Sequence, residues 1–219
     1  MNICLTMIVK NEAHCIARAI RSARPFIASY SISDTGSTDN TMDIIREELK
    51  DTPGVLSQDE WVDFATNRNI ALSHATGTHC FVLDADEVLH GPLLISEEFD
   101  AYQIQMNEGS DLRYWSTRVH RNDGKWKWEG VVHETLHRDD DPVVAQLSLP
   151  RITTPHDGAR DKAGNKFEEL LAIYEAMTNP TPRDIFYHAQ TLRVAERIPE
   201  AIKKFSLRAK LGGWAEEVY

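Results

Sequence analysis

The stretch Cys80-Phe81-Val82-Leu83-Asp84-Ala85-Asp86-Glu87 decides the fold. A short apolar run without internal charge reads as a buried strand, and here it ends abruptly in carboxylates. Residues i and i+2 of a strand point to the same side, so Asp84 and Asp86 face one site while Ala85 turns away. Two carboxylates placed this way repel each other unless they share a cation. Hard cations such as Mg²⁺ and Mn²⁺ favour oxygen donors and are commonly held together with phosphates. The D-x-D pattern alone is weak, so its surroundings must carry the reading.

Working outward toward the N-terminus, Ile3 to Val9 reads as a first buried strand, broken by Lys10-Asn11-Glu12, with Asn11 able to cap a helix. Ile16, Ala19, Ile20 and Ala23 mark that helix. Ile27 to Ser33 is a second strand and ends in Asp34-Thr35-Gly36-Ser37-Thr38-Asp39. Ser37 or Thr38 caps a helix with the face Met42, Ile45 and Leu49. Val55-Leu56 is a short third strand. Phe64 to Ala75 is a third helix, with Ile70, Ala71 and Leu72 inward. The succession β-α-β-α-β-α-β predicts an α/β fold, Rossmann-like, with a mostly parallel sheet and helices on both faces. Ligands of such sheets bind at the carboxyl ends of the strands, which is where Glu12, Asp34 and Asp84/Asp86 fall.

Toward the C-terminus, residues 101–106, 112–120 and 143–152 read as strands, antiparallel additions and loops that close the site. From Arg160 the pattern is helical. Phe167, Leu170, Leu171, Tyr174 and Met177 mark one helix, Thr181-Pro182 caps the next, and a third follows Pro199 until Gly212-Gly213. The expected division is residues 1–158 and a helical segment 159–219 of tetratricopeptide-like character. Trp214 to Tyr219 reads as the start of a further helix.

The chain has 219 residues and a formal net charge of −10, so it carries no overall basic footprint for nucleic acid or anionic membrane. Cys4, Cys15 and Cys80 have no metal-binding spacing and read as buried reduced thiols. The N-terminal apolar run is too short for a signal or a membrane span, so the sequence reads as a cytoplasmic protein without a transmembrane segment. Neither G-x-G-x-x-G nor G-x-x-x-x-G-K-[ST] occurs, so a diphosphate would need a cation to hold it.

The segments MIVKNE (7–12), SDTGSTDNT (33–41), FATNRNIAL (64–72), FVLDADE (81–87), WKWEGVVHETL (126–136) and PHDG (155–158) together resemble glycosyltransferase family 2, of the GT-A fold, in a branch with C-terminal tetratricopeptide-like helices. The resemblance spans roughly residues 3–160 through the order of its motifs. It implies inverting transfer from a nucleotide-sugar, UDP-glucose or similar, with Mn²⁺ or Mg²⁺. It places Asp34 on the uracil near the turn of Asn11 and Glu12, and Arg68 near the nucleotide. Asp84 lies at the ribose and metal, Asp86 ligates the metal with His156, and Glu134 is the base. The common Glu-Asp pair at the base is His133-Glu134 here, leaving either residue to take the proton. The acceptor is a glycan, a peptide side chain, a small molecule or a modified nucleic-acid base, with the C-terminal helices as a surface for protein contact.

Three other readings compete. His133-Glu134-Thr135-Leu136-His137 matches the H-E-x-x-H of zinc peptidases, which needs a helix that Gly130 and Pro142 leave little room for. Asp84 to Val88 fits the first motif of haloacid-dehalogenase-like phosphatases over one strand end only. An inactive nucleotide-sugar fold acting as a scaffold is the third. Of Trp115, Trp126 and Trp128, at least two read as core. His14, His74, His79, His90, His120 and His188 read as surface or satisfied histidines, and Asp86-Glu87 as a solvated loop in the bland case.

Overall fold

The computed structural model describes residues 1–109 and 112–212, so the expected helix at Trp214 to Tyr219 lies outside the described residues. Two compact units emerge, Met1–Ala159 and the residues from Arg160 onward.

The first unit contains β1 (Ile3–Val9), α1 (Ile16–Ala23), β2 (Ser29–Asp34), α2 (Thr41–Glu48), β3 (Gly54–Gln58), α3 (Phe64–Ser73) and β4 (His79–Val82). There follow β5 (Val88–His90), β6 (Ala101–Glu108), β7 (Leu112–Arg121), β8 (Lys127–Glu129), β9 (Thr135–His137) and β10 (Val144–Thr154). One sheet runs in the order β3-β2-β1-β4-β7-β6-β10-β5, and β8 and β9 form a separate hairpin. Its first four strands are parallel, with Met7 opposite Ile32 and Leu5 opposite Phe81. β7 joins β4 and β6 antiparallel. β10 corrects the expectation of purely antiparallel additions: it pairs parallel with β6 and antiparallel with β5.

Strand alternation puts the two faces to different uses. Ile3, Leu5, Met7, Val9, Ile32 and Phe81 form the main core with Ile16, Ile20, Ile45 and Leu49 of α1 and α2. The other face meets α3, and β2 is polar there for a reason. Ser31 Oγ donates to the Ala71 carbonyl at 2.5 Å, and Ser33 Oγ to Asp59 at 2.7 Å. α3 also departs from its apolar pattern. Its buried positions are Ala65, Asn67, Arg68 and Ala71, while Ile70 and Leu72 are only partly buried. The Asp63 carboxylate caps this helix by accepting from the Thr66 N–H at 2.7 Å.

Two expected caps are absent. Cys15 precedes α1 and gives it no side-chain cap, and Asn11 stands in the left-handed region at φ 57°. Asn40 precedes α2 and gives it no side-chain cap, and Asp39 rather than Ser37 or Thr38 accepts the Thr41 N–H, at 3.0 Å. The three cysteines are free and buried. Among the described residues no helix is long and apolar enough to cross a membrane.

Two histidines read as surface or satisfied are bonded at Nδ1 only. His79 of β4 and His120 of β7 are buried, and the Nε2 of each has no partner among the described residues. Burial pushes the His120 imidazole down to about 4 and lowers His79 as well. Both are neutral in the fold, whereas an unfolded histidine protonates near pH 6.5. The stability they allow is therefore complete above that pH and is lost as pH falls from about 6.5 toward 4. Urea titrations of wild type and His120→Asn over this window should show a shallower acid slope in the variant. The expected difference is on the order of 2–3 kcal/mol, and parallel curves would refute it.

After α4 (Ala159–Ala163), which starts on the last residue of the first unit, the second unit holds α5 (Lys166–Ala176), α6 (Pro182–Val194) and α7 (Ile198–Leu211). A reciprocal capping box starts α6: the Thr181 Oγ accepts from the Asp184 N–H at 3.2 Å, and the Asp184 carboxylate from the Thr181 N–H at 2.8 Å. Leu171, Leu192 and Ala201 form its small core, and Tyr174 stacks on His188 at 5.1 Å.

Candidate active site

The carboxyl ends of β1, β2 and β4 lie side by side, because these strands are adjacent and parallel. Asp34 ends β2. Its Oδ1 accepts the N–H groups of Gly36 and Ser37 at 3.1 and 2.9 Å, which folds the turn after the strand. Its Oδ2 is buried and has no partner among the described residues. A buried acceptor without a donor is costly, so this atom has the capacity to accept an N–H. Asn11 tightens the cover over it: its N–H donates to Ser37 Oγ at 2.8 Å, and its Oδ1 accepts the Thr38 N–H at 2.7 Å.

Asp84, just past β4, anchors the second part. Arg68 reaches from α3 with Nη2 on Asp84 Oδ1 at 2.8 Å and Nε on Glu134 Oε1 at 2.6 Å. Its guanidinium lies 4.9 Å from the centre of the Trp128 ring on β8. Arg118 of β7 grips Glu87 with two bonds, at 2.7 and 3.1 Å, and stands 3.8 Å from Asp84 Oδ2. Glu87 in turn accepts the Asp84 N–H at 2.8 Å. Burial alone would raise the Asp84 carboxyl, but Arg68 and Arg118 outweigh it and hold the group below the usual carboxylate range. Glu87 moves the other way, pushed up to about 7 by burial despite Arg118. It is buried, which corrects the solvated-loop reading of Glu87.

Asp86 faces the turn 155–158. A Cβ added at Gly158 would lie 3.2 Å from Asp86 Oδ2, so a larger residue there would press on that carboxylate. His156, in the same turn, sits in the left-handed region at φ 57°, with Nε2 3.9 Å from Glu108 Oε2. A carboxylate and an imidazole suit a divalent cation of the Mn²⁺ or Mg²⁺ kind completed by phosphate oxygens, since such ions are commonly held by one or two protein groups plus the substrate. Asp84 is turned to the two arginines instead. Among the described residues, Glu12, His14 and Cys15 form the one tight cluster of metal-ligating types, and Asp84, Asp86 and His156 do not converge so closely.

Glu12, expected beside the nucleotide, is bonded to two neighbouring segments. Its carboxylate accepts the Ala159 N–H at 3.1 and 3.2 Å and the Cys15 thiol at 3.2 Å. The peptidase reading fails on geometry. His133 and Glu134 lie in a loop and Thr135–His137 is β9, so no helix puts both histidines on one face. Of the three tryptophans only Trp126 is core; Trp128 is partly buried under Arg68, and Trp115 is 38% exposed. Arg118 and Glu87 had no role legible in the sequence, although Arg118 stands in the alternation with Tyr114 and Ser116. Arg18 had no role legible in the sequence either, and His14 read only as a surface or satisfied histidine.

A half-parallel sheet with acidic strand ends on one rim, extended by antiparallel strands and a hairpin over that rim, is the GT-A fold. The chain belongs to glycosyl transferase family 2, whose profile matches residues 4–129. It is 25% identical to the SPbeta prophage-derived glycosyltransferase SunS of Bacillus subtilis, over 90% of this chain and 50% of that protein. It is 32% identical to a TPR repeat-containing protein of Synechococcus elongatus, over 98% of this chain and 49% of that protein. The chain thus spans about half the length of the curated relatives it matches. The crystal structure of S. aureus TarS 1–349 in complex with UDP-GlcNAc shares the fold, with a TM-score of 0.55 at 15% identity, covering 88% of this chain and 72% of that one.

Proposed function

We propose that this chain transfers a sugar from a UDP-linked donor to an acceptor hydroxyl with inversion, assisted by Mn²⁺ or Mg²⁺. The observation that carries the reading is the placement of Arg68, buried between Asp84 on the strand rim and Glu134 on the hairpin loop. One cation thereby ties the nucleotide side of the site to a carboxylate that can act as base.

Each group then has a task. Asp34 Oδ2 takes an imide N–H, which uracil offers and cytosine lacks, so UDP is favoured over CDP. Asp84 and Arg68 line the nucleotide. Asp86 and His156 would hold the cation, which when bound offsets the charge gathering on the departing diphosphate. Glu134 keeps Oε1 on Arg68 and presents Oε2 to the acceptor O–H as general base. His133 is exposed in the adjoining loop position and is not the residue Arg68 grips. A protein of the same fold is consistent with this reading: TarS 1–349 has been crystallised in complex with UDP-GlcNAc.

Calorimetry with UDP, UDP-glucose, UDP-GlcNAc and CDP, in Mn²⁺ and then in chelator, tests this reading. UDP compounds should bind the wild type more tightly in Mn²⁺, CDP should bind weakly, and Asp86→Ala should lose the Mn²⁺ dependence. Absence of any nucleotide binding would refute the proposal. Tight UDP-sugar binding without release of UDP over hours would favour the scaffold.

A further inference from the structure

We propose that Arg18, His14 and Glu12 are positioning residues that hold the turn 156–159 against Asp86, so that the cation ligands are in place before donor arrives. The inference rests on the reading that Asp86 and His156 hold the cation.

Three tethers run from the start of α1 to this turn. Arg18 Nη2 and Nη1 grip the two oxygens of Asp157 at 2.6 and 3.0 Å. His14 Nε2 bonds the Asp157 carbonyl at 2.5 Å. Glu12 receives the Ala159 N–H on both oxygens, at 3.1 and 3.2 Å. Arg18 Nη2 also reaches the Asp86 carbonyl at 3.4 Å, so one guanidinium spans both halves of the cation site.

The turn needs such support. His156 at φ 57° is a strained conformation for a residue with a Cβ, and such residues persist where their surroundings over-determine them. Gly158 brings its backbone within reach of Asp86, an approach that any shift of the turn would undo. A single exposed ion pair contributes little, and the Arg18 and Asp157 side chains are 40% and 33% exposed. The two-pronged geometry and the two added tethers are what fix the turn. The same contacts argue against a separate cation site at Glu12, His14 and Cys15. The Cys15 thiol already donates to Glu12, and His14 and Glu12 are engaged with the turn.

Metal-linked affinity reads the effect: the ratio of UDP dissociation constants in chelator and in Mn²⁺, by calorimetry. Loss of a group that orients a ligand typically costs about 10–100-fold in metal affinity. Arg18→Ala should therefore shrink the wild-type ratio by about 10-fold or more, with the chelator value unchanged. Arg18→Lys, which cannot grip both oxygens, should fall between. If Arg18→Ala does not fold, Asp157→Asn carries the same expectation. A wild-type ratio in Arg18→Ala or Asp157→Asn, with the ratio lost in Asp86→Ala, would overturn the positioning role alone. An unchanged ratio in Asp86→Ala would remove the cation reading and this inference with it.

Discussion

Glu134→Gln should lower release of UDP from a UDP-sugar by about 10²- to 10⁴-fold, the usual worth of a positioned general base, while leaving UDP affinity unchanged. The two halves of the expectation have different origins. The glutamine side chain keeps an oxygen that can accept from Arg68 Nε, where the wild type has a 2.6 Å bond, so the hairpin loop and the arginine stay in place. What the amide lacks is a second oxygen able to take a proton from the acceptor. Binding is therefore preserved and the chemical step is lost, which is the pattern of a group used in the transition state. Water can serve as acceptor in this assay. His133→Gln provides the contrast and should change turnover by no more than a few-fold. A larger loss in His133→Gln than in Glu134→Gln would move the base to the histidine.

The parallel half was legible in the sequence because its signals are local. β1 and β4 are mostly apolar and buried, α1 buries the four residues its spacing marks, and Asp34 and Asp84 stand at or just past a strand end. What escaped depended on partners far along the chain. Arg118 meets Glu87 across 31 positions, and only because β7 enters antiparallel beside β4. Arg18 meets Asp157 across 139 positions, so on its own helix it reads as a solvated arginine. α3 misled for another reason. Hydrophobic periodicity cannot register a helix that buries polar groups, and Asn67 and Arg68 are those it turns inward. Asn67 closes the loop before the helix, with Oδ1 on the Val62 N–H at 3.0 Å and Nδ2 on the Glu60 carbonyl at 3.0 Å. H-E-x-x-H illustrates the converse: a motif with its residues present and its helix absent.

Arg68→Met should destabilise the protein by about 3 kcal/mol or more at neutral pH, because it strands two carboxylates that the arginine now pairs. Arg68 is 10% exposed at its side chain and its partners Asp84 and Glu134 are 33% and 13% exposed, so neither carboxylate is freely hydrated. Methionine fills much of the volume and still packs on Trp128, so lost charge rather than a cavity sets the effect. Arg118 remains, but at 3.8 Å from Asp84 and bound to Glu87 it compensates only in part. The pH dependence identifies the cause. In the wild type Arg68 and Arg118 outweigh burial and lower the Asp84 pKa, so this contribution is present above the ordinary carboxylate range and lost as pH falls through the folded value. The variant loses the favourable Arg68 pairing and keeps the burial, so Asp84 protonates at higher pH than in the wild type. The deficit relative to wild type should be greatest near pH 7 and narrow toward pH 4, read as the gap between urea midpoints at each pH. A gap independent of pH would mean that Arg68 acts through packing on Trp128. No gap at all would mean that the Asp84–Arg68–Glu134 bridge adds nothing to stability, and that Arg68 is held in the site for its contact with the nucleotide alone.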